Sequence, residues 1–155
     1  MATPATDQLA LDAVRRAFSS CRRPAHFTDH LHCDECADHD RTLLERTSET
    51  VTLADIGNPG WDPICFITPE GFAYYLPGLA RLSIEASGYG PQFFLHLISD
   101  GPRNARFKHC SPDQRMAVAD FLRYFIDTRA DELDEECAAD NAFRALEIWS
   151  GDEGA

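Results

Sequence analysis

The chain is predicted to be all-α, a single compact domain of about five to seven helices. Three observations point there. Apolar residues recur at steps of three and four through most of the chain, the period of a helix with one buried face. Convincing runs of strand alternation are missing, and Val51 to Leu53 and Ile64 to Ile67 are the only short candidates. Two segments, Thr68-Pro69-Glu70 and Ser111-Pro112-Asp113-Gln114, carry a capping residue, a proline for the first helical position and a polar first turn. A length of 155 residues suits one domain spanning 1–155, with flexible ends expected at 1–6 and 151–155.

The elements follow in order. Asp7 to Phe18 reads as an amphipathic helix, with Leu11, Val14 and Phe18 on one side, and Cys21-Arg22-Arg23-Pro24 breaks it. Cys33 to Arg46 lacks Gly and Pro and contains Ala37, Leu43 and Leu44, so it reads as helical. Thr52 to Ile56 reads as a helical turn. Gly57-Asn58-Pro59-Gly60-Trp61-Asp62-Pro63 is dense in turn formers and reads as a loop. From Thr68, the residues Phe72, Tyr75, Leu76, Leu79 and Leu82 hold helical spacing, and Pro77 among them predicts a kink or a break. Gly88-Tyr89-Gly90-Pro91 closes that segment. Phe93, Phe94, Leu97 and Ile98 mark a short helix ended by Ser99-Asp100-Gly101-Pro102. The Ser111 helix carries Met116, Val118, Phe121, Leu122, Phe125 and Ile126, and Gln114 completes a capping box. A last helix runs from about Ala139 to Trp149.

Composition narrows the function. The net charge of −12 argues against non-specific nucleic-acid binding, which needs a positive surface. It suits a soluble protein or one that meets a basic protein partner, and nine acids against one base lie between Asp131 and Ala155. No apolar run approaches the roughly 18 residues of a membrane span. Met1 to Leu11 has no basic region followed by an apolar core, so the expected location is the cytoplasm. Six cysteines in a chain of this size, two of them in Cys-x-x-Cys and four scattered, favour metal binding over a disulfide framework.

The densest chemistry is His32-Cys33-Asp34-Glu35-Cys36-Ala37-Asp38-His39. Thiolate and imidazole are the preferred ligands of tetrahedral zinc. On a helix, Cys33, Cys36 and His39 advance in steps of about 300° and occupy adjoining parts of one face. That supplies three ligands. The fourth lies between His26, approaching from the preceding loop and favoured, and His32, which adjoins Cys33 and can instead support a ligand by hydrogen bonding. A zinc bound there would pin the loop from Cys21 to His32 against the following helix. The signatures of zinc deaminases and of His-Glu-x-x-His peptidases are absent, and two thiolates weaken a metal as a Lewis acid, so a structural metal is preferred to a catalytic one. A dithiol redox pair is a poorer reading without the strand-to-helix setting. Elsewhere, Cys110 near the Ser111 helix start is a candidate for a lowered thiol pKa, though an incidental buried cysteine is the simpler reading. His96 in its apolar segment reads as a satisfied core histidine. Trp61 reads as packing, with lining a pocket the other possibility.

Two segments resemble an uncharacterised bacterial family of small proteins, a domain of unknown function. One is Arg23-Pro24-x-His26-Phe27 followed by His32-Cys33-x-Glu35-Cys36-x-x-His39-Asp40. The other is Gly57-Asn58-Pro59-Gly60-Trp61-Asp62-Pro63 followed by Cys65-Phe66-x-Thr68-Pro69-Glu70-x-Phe72-x-Tyr74-Tyr75-Leu76-Pro77. The resemblance implies only that His26, Cys33, Cys36 and His39 belong to a recurring pattern, and it carries no activity. The expectation is a zinc-binding, non-enzymatic protein acting through protein–protein contact, as an immunity or adaptor protein does. The alternatives are a small zinc hydrolase with Glu35 or Asp38 as base, and a metal carrier or sensor.

Overall fold

The computed structural model describes residues 2–86, 88–99 and 103–151. Among them are nine α-helices, one 3-10 helix and no strand. The helices are α1 (Pro4–Phe18), α2 (Asp34–Leu44), α3 (Leu53–Ile56), α4 (Pro69–Glu85), α5 (Gly90–Ile98), α6 (Ala105–His109), α7 (Pro112–Thr128), α8 (Ala130–Glu135) and α9 (Ala139–Trp149). The 3-10 helix, η1, spans Pro63–Phe66 between α3 and α4. The all-α reading holds, and the count exceeds five to seven because α6 and α8 are short. The expected stop at Asp100, Gly101 and Pro102 lies outside the described residues, as do 152–155 of the expected C-terminal end.

α4 is the central helix. Phe72, Ala73, Tyr75, Leu76, Leu79, Ala80 and Leu82 are all buried, so its apolar surface runs most of the way round. α1 packs on it and on α7, and α5, α7 and α9 pack on one another. Aromatic edges lock that second group: Phe94 meets Phe125 at 5.2 Å and 84°. The buried Trp149 indole donates to the Leu97 carbonyl at 2.9 Å, which ties α9 to the end of α5.

Local chemistry explains the boundaries. Thr68 and Ser111 cap α4 and α7 as expected, and Ser111 with Gln114 forms the capping box. α1 begins at Pro4, not Asp7, because Thr3 and Thr6 cap reciprocally. Residues 4–6 are therefore helical rather than a flexible end. Ile64 to Ile67 is not a strand. The Asp62 carboxylate accepts the Ile64 N–H at 2.9 Å and starts η1 instead.

The expected break at Pro77 does not occur. α4 continues through it because Ser48 fills the disrupted ladder. The Ser48 hydroxyl accepts the Gly78 N–H at 2.8 Å and donates to the Tyr75 carbonyl at 3.5 Å. This approach needs glycine at position 78, since a Cβ there would lie 2.3 Å from the Ser48 carbonyl oxygen. Gly78→Ala is therefore expected to destabilise the fold by about 2 kcal/mol through overpacking, read as a lower urea midpoint with an unchanged slope.

Candidate metal centre

The loop before α2 is held in place by protein groups. Arg23 donates to the carbonyls of Leu44 at 2.6 Å and Arg46 at 2.7 Å, and so satisfies the C-terminal end of α2. Its guanidinium also lies over the rings of Phe27 and Tyr74. Phe27 is fully buried against Tyr74 and Tyr75. Asp40, itself buried in α2, accepts the backbone N–H of Phe27 at 2.6 Å and of Thr28 at 3.3 Å, and pairs with His26 Nδ1 at 2.7 Å. The Thr28 hydroxyl donates to the Cys36 carbonyl at 2.6 Å.

Cys33 is the N-cap of α2, and its sulfur accepts the Cys36 N–H at 3.4 Å. The Cys33 and Cys36 sulfurs lie 3.3 Å apart, and His32 Nδ1 lies 3.7 Å from Cys36 Sγ. These three residues converge as possible metal ligands. Tetrahedral zinc with bonds near 2.3 Å to sulfur and 2.0–2.1 Å to nitrogen separates its ligand atoms by about 3.5–3.8 Å. These two spacings are close to that, and all three ligand atoms lie within 4.8 Å of one another, so the donors suit the ion in kind and in proximity. His32 and Cys33 are exposed and Cys36 is buried.

The electrostatics are asymmetric. Hydrogen bonds from the Cys36 N–H, then from its thiol and from His32, lower the Cys33 thiol. Cys36 is raised, first by its bond with Cys33 and then by burial and the negative charges nearby, including Asp29 and Glu35. His32 is raised by Cys33 and Asp29. A dithiol set in this way can bind a soft cation or close to a disulfide.

The other two expected ligands go elsewhere. His26 is drawn to Asp40 and stacks on His30 with ring centroids 3.6 Å apart, so that His26, His30 and Asp40 form a separate donor group. His39 is completely buried between the rings of Trp61 and Phe66, at 4.5 and 4.8 Å, with Nε2 3.4 Å from a Glu35 oxygen. Neither of its ring nitrogens has a hydrogen-bond partner. Two steps of about 300° turn position 39 roughly 120° away from position 33, and Cys33 is already outside the helix as its cap.

A third group, Asp62, Cys65 and His96, has no counterpart in the sequence reading. Asp62 caps η1, Cys65 lies within it and His96 lies on α5, and no local spacing joins His96 to the other two. Burial, then the Asp62 charge, raise the Cys65 thiol, with Arg106 opposing, so Cys65 is not an activated nucleophile. Cys110 is likewise no reactive thiol, because burial pushes it up to about 12. No family model, no curated protein and no solved structure matches this chain.

Two outcomes follow from this geometry. Burial alone would raise Asp40, but the bonds from His26, Phe27 and Thr28 outweigh it and hold the carboxyl below the ordinary aspartate range. Its stabilisation is therefore complete above the unfolded value and lost as pH falls through the lower folded value. Asp40→Asn is expected to cost about 2 kcal/mol near neutrality, and the gap between variant and native protein in urea unfolding should shrink below about pH 4. In metal-free, reduced protein, iodoacetamide should label Cys33 first and Cys110 only on unfolding, as read by peptide mass mapping.

Proposed function

We propose that this protein binds zinc through His32, Cys33 and Cys36 and acts by contact with another protein. The convergence of two thiols and an imidazole at the start of α2 is the observation that carries the metal. The core supports a local role for it. Asp40, Arg23 and Thr28 already secure the loop at 23–28, so zinc would order residues 29–36 rather than create the fold. Three protein donors leave one tetrahedral position, for water or for a further group.

The surface beside the site supports the interaction. Leu31 is 85% exposed, and Trp61 and Phe66 are also exposed where they cover His39. Large apolar side chains next to a metal-ordered loop suit a docking face, and the net charge of −12 favours a basic partner. No helix of the described residues is long and apolar enough to cross a membrane. Immunity or adaptor proteins fit this description, and the cytoplasm suits free thiols.

Elemental analysis of the purified, untagged protein tests the metal. Cys33→Ser/Cys36→Ser is expected to hold one zinc fewer per chain than the native protein, with a modest drop in melting temperature and an intact helical spectrum. Equal zinc in both proteins would remove the reading. For the interaction, Trp61→Ala is expected to weaken salt-sensitive retention of a basic partner without loss of bound zinc.

A further inference from the structure

Asp62, Cys65 and His96 each place one ligating atom within 4.8 Å of the other two, and the Cys33–Cys36 centre uses none of them. Asp62 and His96 are buried, while Cys65 reaches solvent. The carboxylate is rigidly set. Oδ1 accepts the Ile64 N–H at 2.9 Å, and Oδ2 accepts the Gln92 amide at 2.8 Å and pairs with His96 Nε2 at 2.7 Å. The Nε2 side of the His96 ring therefore faces the Asp62 carboxylate, and a cation between them would take the place of the proton they share.

A second observation is independent of these three. The Tyr89 hydroxyl is buried and has no hydrogen-bond partner. The charges of Asp62, Cys65 and Arg106 all act on it, so it lies in the neighbourhood of the same group. An orphaned buried hydroxyl is costly, and its presence beside three convergent donors calls for something polar between them. Arg106 lies near the same group, and its charge acts on both Cys65 and Tyr89. It donates to the carbonyls of Ile64 and His96 and lies 4.5 Å over the Phe72 ring, which ties η1 to α5.

We propose that Asp62, Cys65 and His96 form a second metal site, for a divalent cation of the zinc class, with the Tyr89 hydroxyl facing the ion or its bound water. One sulfur, one nitrogen and one oxygen make a borderline-soft set. Magnesium and calcium want oxygen alone, whereas zinc and cobalt accept all three. The site would fasten η1 to α5, and it stands whether or not the Cys33–Cys36 centre holds metal.

Cobalt(II) titration of reduced, metal-free Cys33→Ser/Cys36→Ser protein tests it. One equivalent should bind, with visible bands of tetrahedral intensity and a near-ultraviolet thiolate-to-cobalt band, and zinc should displace it. Adding Cys65→Ser should abolish the thiolate band. Cys65 is exposed, so helical circular dichroism should be unchanged. Adding His96→Gln should weaken binding at least tenfold. No cobalt uptake by the double variant, or a thiolate band that survives Cys65→Ser, overturns the proposal. The native protein separates the two sites. Two equivalents support both, one equivalent lost with Cys33 and Cys36 overturns this one, and one equivalent retained without them overturns the first centre.

Discussion

The buried carboxylate of Asp40 organises the part of the molecule where chemistry is concentrated. It accepts two backbone N–H groups from the preceding loop and the imidazole of His26. A charged acceptor can be buried only when its lone pairs are met, and here the loop meets them. In return, the loop delivers Phe27 into the core against α4. His26 is thereby oriented by a carboxylate and kept apart from the thiols. The thiol and imidazole group at the start of α2 is then built on backbone that is already fixed from behind.

The remainder of the fold is arranged around α4, and the compensation at Pro77 shows how. Proline removes a donor and disturbs the turn before it. Ser48 enters from the loop after α2, bridges the Gly78 N–H and the Tyr75 carbonyl, and allows a central helix to pass through. The same loop supplies the carbonyls of Ser48 and Val51 to Arg81. A local defect in one helix thus becomes the docking point for a distant segment.

Most buried polar side chains are paired within the protein. Asp62 is satisfied three times over, and Tyr75 reaches the Leu43 carbonyl. The imidazole of His39 and the hydroxyl of Tyr89 have none among the described residues. His39 is compensated in part by the flanking Trp61 and Phe66 rings and the nearby Glu35 carboxylate. Tyr89 has the charge of Arg106 nearby but no hydrogen-bond partner.

The helical class, the caps at Thr68 and Ser111 and the pairing of Cys33 with Cys36 were legible in the chain, because each depends on residues within a turn of one another. Short helices such as α6 and α8 were not, since a single turn has too few residues to show a period. Tertiary structure decided which histidine joins the thiols. Helical spacing favours His39, and the preceding loop favours His26, but Trp61 and Phe66 bury the first and Asp40 draws away the second, leaving His32 beside the thiols. It also brought Cys65 to His96, with the whole of α4 between them in sequence, and it let a proline sit inside a helix. Those outcomes depend on contacts between residues distant in sequence, and only the packed chain brings them within bonding reach.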